Sequence, residues 1–166
     1  MSATIVMIED NPQNRYLATF LLERRGHSVV SSADGPSGIE EAARLLDPYA
    51  EYDAGGWEAH HNRKADSPSG TAKAIVERVL SSMTRKTQAV YETLENRPPE
   101  PHELHYPSLR LGSVPGTHTV FFDSNADTIE LTHTARSREG FATGAVVAAE
   151  WLMGKRGIFT MDDVLS

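Results

Sequence analysis

The chain has no cysteine among its 166 residues. Disulfides, thiol nucleophiles and cysteine-based metal sites are therefore excluded, and a reducing compartment fits. Positive charge is also in short supply: 16 Lys and Arg stand against 23 Asp and Glu, a formal net charge of −7. That balance argues against a nucleic-acid or anionic-membrane surface over the whole molecule. No apolar run approaches the roughly 20 residues needed to cross a bilayer. The start Met1-Ser2-Ala3-Thr4 lacks the basic and apolar regions of a secretion signal. The expectation is a cytoplasmic protein without nucleic-acid or membrane partners. What is present, 39% apolar and 23% charged residues, is the composition of a globular fold.

Hydrophobic patterning gives an α/β reading. Thr4 to Ile8 is a short β-branched run, a buried-strand signal. Asn11 and Pro12 then supply a cap and first position for a helix over Gln13 to Arg25, which Gly26 ends. Tyr16, Leu17, Phe20 and Leu21 share one face of that helix. A second strand over His27 to Ala33 and a second helix over Gly38 to Leu46 follow, so residues 1–46 read β-α-β-α with parallel, right-handed packing. In residues 47–166, Tyr52 to Ala59 is a third strand, weakened by Gly55-Gly56. A helix capped by Ser69 or Thr71 runs to about Met83, and Arg97 to His105 reads as loop. Strands at Leu109 to Leu111, Thr117 to Phe122 and Thr128 to Thr134 then lead to a closely packed helix over Gly140 to Met153 and a last short strand at Gly157 to Phe159. Alternation in the Thr128 strand predicts one buried and one open face. The whole is an N-terminal flavodoxin-like half leading into a mixed sheet with flanking helices.

The chemistry concentrates in Glu58-Ala59-His60-His61-Asn62-Arg63-Lys64-Ala65-Asp66-Ser67-Pro68-Ser69-Gly70-Thr71-Ala72. A helix N-terminus offers unpaired N–H groups to an anion. Lys64 adds a full charge just ahead of it, and imidazole, offered here by His60 and His61, is a side chain that ordinarily titrates close to working pH. Together these parts can hold a small dicarboxylate and protonate it. His118 and His133 raise the question of a metal site, but they alternate with threonines on strands and read as ordinary strand residues. His102 and His105 read as solvated. Glu9 and Asp10 end the first strand, where ligands bind in doubly wound sheets, and two carboxylates there are candidate Mg²⁺ ligands.

Two resemblances extend this reading. The run Ile5 to Pro12, with Leu21-Leu22-Glu23-Arg24-Arg25-Gly26-His27 and Ser32-Ala33-Asp34-Gly35, resembles the first half of a response-regulator receiver domain over about residues 3 to 46. That likeness gives Glu9 and Asp10 the family's Mg²⁺ role and puts Glu58 in register with the phosphoacceptor aspartate. From about residue 43 onward the chain resembles 4-hydroxy-tetrahydrodipicolinate reductase, the dihydrodipicolinate reductase of lysine biosynthesis. The likeness rests on the His60 segment, on Gly112-Ser113-Val114-Pro115-Gly116-Thr117-His118-Thr119-Val120, and on Glu130 to Arg138 with Phe141 to Ala145. The resemblance implies that His60 is the proton donor and Lys64 its partner in catalysis and carboxylate binding. It further implies that His61 contacts substrate, that Gly70 and Thr71 hold a substrate carboxylate, and that the chain forms dimers or tetramers through its C-terminal sheet.

The reductase family binds NADH or NADPH on a G-x-x-G-x-x-G turn after its first strand. Here Glu9-Asp10-Asn11-Pro12 stands in that place, and its carboxylates would repel a pyrophosphate. The expectation is therefore a recombined or engineered chimera that keeps dicarboxylate binding, has no cofactor and shows little or no catalysis. An active reductase using NAD(P)H is the alternative. A signalling module of receiver type, without its phosphoacceptor, is the second.

Overall fold

The computed structural model describes residues 2–165. It has two sheets. The front one contains only β1 (Thr4–Ile8) and β2 (Ser28–Ser32), parallel and in register from Thr4↔Ser28 to Ile8↔Ser32. α1 (Pro12–Glu23) connects them, capped by Asn11, whose side-chain oxygen accepts the N–H groups of Gln13 and Asn14. Gly26 follows at φ +86°, a left-handed conformation that glycine adopts without strain. α2 (Gly35–Leu46), capped by Asp34, lies against both front strands and against the next helix. Gly38 makes that approach close, because a Cβ there would collide with the Ile8 side chain.

The larger sheet carries the site. Its strand order is β4 (Gln88–Val90), β5 (Glu103–His105), β3 (Asp53–His60), β7 (Thr117–Asp123) and β8 (Thr128–Thr134), with β6 (Ser108–Arg110) also paired to β3. β3 is central. It runs parallel to β5 and β6 and antiparallel to β7. α3 (Gly70–Ser82) buries Ala72, Ile75, Val76 and Val79, and the core continues through Met83, Leu104, Tyr106, Val120 and Phe122. α4 (Glu139–Trp151) and α5 (Met161–Leu165) end the chain.

Several expectations are corrected. Gly55-Gly56 does not weaken β3. Gly56 lies against the Tyr106 ring and the Thr119 carbonyl, where a side chain would not fit, so the missing Cβ permits the close packing of a central strand. Residues 97–105 are not all loop, since β5 pairs with both β4 and β3. The predicted strand at Gly157 to Phe159 is absent; the chain is irregular there, with Gly157 at φ +139°. No residue of α1 or α4 is buried: Tyr16, Leu17, Phe20 and Leu21 stay exposed on α1, as do Phe141, Val146 and Val147 on α4. β8 is exposed at every position but the half-buried Leu131, so both of its faces are open rather than one. Among the described residues no helix is long and apolar enough to cross a membrane.

Candidate functional site

Strand register builds the site. Glu58 and His60 are two residues apart on β3 and therefore project to the same face. Pairing places Ser108 beside Glu58 and Arg110 beside His60 on one flank, and His118 beside Glu58 on the other. Ser69, which begins the turn into α3, meets this group from the helix side.

Glu58 is fully buried. Its Oε1 accepts the Ser69 N–H at 3.0 Å, the Ser108 hydroxyl at 2.7 Å and an Arg110 Nη2–H at 2.8 Å, while its Oε2 accepts the Ser69 hydroxyl. Burial alone would push its pKa up. The hydrogen bonds from Ser69, Arg110 and Ser108 outweigh burial and hold the carboxyl at about 2. A buried carboxylate survives here because it is paired and saturated with donors.

Two imidazoles face that carboxylate. His60 Nδ1 lies 3.3 Å from Glu58 Oε2, too poorly aligned for a formed hydrogen bond, and His118 Nδ1 lies 4.0 Å away. The rings meet edge to face with centroids 5.2 Å apart. Burial lowers the pKa of both. For His118 it reaches about 4 against the opposing pull of Glu58. Glu58, His60 and His118 also form the one group of three metal-type ligands that converges among the described residues. The donor set argues against a cation, because both carboxylate oxygens are occupied and the Arg110 guanidinium already supplies the positive charge.

Beside this cluster opens a cavity of about 220 Å³, lined by His60, His61, Lys64, Ser69, Gly70 and Thr71, with Pro115, Arg138 and Phe141 closing it. Lys64 Nζ pairs with Asp66 at 2.8 Å at the rim. α3 begins at Gly70 and its first intrahelical bond runs from the Lys73 N–H to the Ser69 carbonyl, so the amides of Gly70 and Thr71 lie ahead of the first paired donor. The Ser69 hydroxyl accepts the Ala72 N–H at 3.1 Å, which locks the helix end in place. The cavity thus combines two imidazoles, two cations and a helix N-terminus, a set suited to a small anion that is to be protonated.

A search of protein families matches residues 37–165 to the family described as dihydrodipicolinate reductase, C-terminus. The chain belongs to that family. Curated relatives agree: 4-hydroxy-tetrahydrodipicolinate reductase of Christiangramia forsetii is 45% identical over 128 residues, 76% of this chain and 51% of the relative. The enzyme of the same name from Methanosarcina mazei is 44% identical over 128 residues, covering 76% and 47%. The chain thus spans about half the length of the curated relatives it matches. Among solved structures, the dipicolinate-bound dihydrodipicolinate reductase from Paenisporosarcina sp. TG-14 superposes with a TM-score of 0.51 at 18% identity, over 90% of this chain and 60% of that one. That likeness bears on the fold, a mixed α/β protein.

These matches overturn the expectation of an inactive chimera, because the relatives that share most of the chain are named as reductases. They give no support to a receiver half. Glu58, read against the receiver pattern as standing at a phosphoacceptor position, is instead sealed among Ser69, Ser108 and Arg110. The structure gathers His60, His61, Lys64, Gly70 and Thr71 around one cavity. It adds Arg110 and Ser108, which sequence reasoning missed, and gives Glu58 and His118 a place in the site that the sequence did not assign them. His118, read as an ordinary strand residue, is buried against His60. His105, read as solvated, is half-buried at the end of β5, with Nε2 3.1 Å from the Glu92 carbonyl.

Glu9 and Asp10 do not line this cavity. They sit at the end of β1, where Glu9 Oε1 accepts the Asn11 N–H at 3.0 Å and Asp10 is exposed. At that turn the N–H groups of Gln13 and Asn14 are already taken by Asn11, Pro12 has none, and two carboxylates stand nearby. The β1–α1 turn does not fit a dinucleotide's diphosphate.

Proposed function

We propose that this chain carries the substrate-holding and proton-donating part of a 4-hydroxy-tetrahydrodipicolinate reductase, in which NADH or NADPH supplies the hydride. The observation that carries the reading is the convergence of His60, Lys64 and the start of α3 on one cavity. One substrate carboxylate sits on the amides of Gly70 and Thr71, with Lys64 exchanging Asp66 for the incoming anion. His61 and Arg138 border the rest of the ligand, and His60 delivers the proton. Burial lowers the His60 pKa; a bound dianion raises it, so binding brings the proton with it.

The exposed β8 and its sheet are the surface through which copies of the chain associate in this reading, as dimers or tetramers. Light scattering on the purified chain tests it, and a monomer at working concentration opposes it. The substrate-holding role is tested by titrating dipicolinate into the chain by calorimetry: saturable binding is expected, and no binding contradicts the reading. Any nicotinamide oxidation with 4-hydroxy-tetrahydrodipicolinate is expected to fall about 10²–10⁴-fold in His60→Gln.

A further inference from the structure

We propose that Glu58 is a positioning residue for His60: it accepts a hydrogen bond from Nδ1–H, so that Nε2 is the nitrogen presented to substrate, and Gly116 lacks a side chain to keep Nε2 open. This deepens the reductase reading and rests on it.

Three observations support the assignment. Glu58 Oε2 lies 3.3 Å from the buried Nδ1 of His60, and that nitrogen has no hydrogen-bond partner among the described residues. The carboxylate cannot swing away, since Ser69, Ser108 and Arg110 hold both of its oxygens. On the opposite side of the ring, a Cβ on residue 116 would stand 3.1 Å from Nε2 and cover it. Gly116 also has φ +156°, and its carbonyl accepts the Ala135 N–H at 2.8 Å, which fixes the strand entry in place. His118 packs edge-on against the ring and limits its rotation. Contacts of this kind tighten when substrate binds.

The same carboxylate holds Ser69, the cap of the helix whose first amides face the cavity. One buried anion therefore orients the proton donor and the anion cradle together, a division of labour familiar from the outer shell of other sites.

The charges that face His60 come from four places: Glu58 on its own strand, Arg110 on β6, His118 on β7, and Lys64 with Asp66 in the loop before α3. Glu58 and Asp66 favour the protonated ring, while Lys64 and Arg110 disfavour it. His118 is neutral near neutral pH and contributes packing. Removing Glu58 and removing Arg110 are therefore expected to move His60 in opposite directions.

The first experiment needs no variant. Long-range ¹⁵N–¹H correlation of the histidine rings in the wild-type chain, above the His60 pKa, is expected to show the neutral ring protonated on Nδ1; protonation on Nε2 overturns the proposal. Histidine titrations are then compared in Glu58→Gln and Arg110→Gln. His60 is expected to move down in the first and up in the second, by on the order of one pH unit, with the alkaline limb of kcat/KM moving the same way. Shifts of the same sign, or none, contradict it. Gly116→Ala is expected to lower kcat on the order of a hundredfold while dipicolinate affinity is kept; an unchanged kcat contradicts the role given to Gly116. The ring signals report on Glu58 with or without turnover, so failure of this proposal is distinguishable from failure of the reductase reading.

Discussion

Ser69→Ala removes two interactions with one atom. The Ser69 hydroxyl accepts the Ala72 N–H at 3.1 Å as the cap of α3, and it donates to the carboxylate of Glu58. Ser69 is 3% exposed, so water does not replace either partner. Loss of a cap costs about 1 kcal/mol, and loss of a hydrogen bond to a charged group costs about 1.5–3 kcal/mol. The sum, about 3 kcal/mol, is large for a protein of this size. Glu58 keeps the Ser69 N–H, Ser108 and Arg110, so the carboxylate stays ionised and the fold survives. Urea unfolding of wild type and Ser69→Ala measures the loss, with Asn11→Ala as the control. Asn11 caps α1 in the same way, but α1 buries nothing and Asn11 meets no buried charge. A loss for Ser69→Ala no larger than that of the control would refute the coupling of helix cap to buried carboxylate.

Acid should unfold the chain through Glu58. Its pKa is depressed from 4.5 to about 2 in the folded state, so its contribution is present above pH 4.5 and is lost as pH falls toward 2. The loss amounts to about 3 kcal/mol, and the difference between wild-type and Glu58→Gln acid unfolding isolates it; parallel curves would be the wrong outcome. Gly56→Ala should destabilise by about 1–3 kcal/mol, because its methyl collides with Tyr106 and the Thr119 carbonyl; thermal unfolding reads this, and an unchanged midpoint would mean that β3 relaxes. Lys64→Ala should weaken dicarboxylate binding by about tenfold to a hundredfold at unchanged stability, by calorimetry. Equal affinities would remove Lys64 from the anion site.

Much of the architecture is written in local signals. Asn11-Pro12 and Ser69 cap helices where expected, and the β-branched runs of β1, β7 and β8 are strands. Local pattern was less informative where pairing decides. β4 and β5 are three residues each, too short for periodicity, and exist because β3 supplies a template for β5 and β5 one for β4. The apolar stripe of α1 has the spacing of a buried face, yet it remains exposed because the front sheet has only two strands to offer. At the site, His60, His61, Lys64, Gly70 and Thr71 stood together in one segment and were legible as a group. Glu58, Ser108, Arg110 and His118 come from three strands. Only the register Glu58↔Ser108, His60↔Arg110 and Glu58↔His118 joins them, and register is a long-range property that a single sequence does not print.

The account rests on the cavity at the start of α3 being a dicarboxylate site with His60 as its acid. Titrating dipicolinate into ¹⁵N-labelled protein tests that directly. The expected result is saturable movement of the Gly70 and Thr71 amides together with the His60 ring, and a rise in the His60 pKa on binding. Saturable binding that leaves these three signals still, or no binding at all, would contradict it.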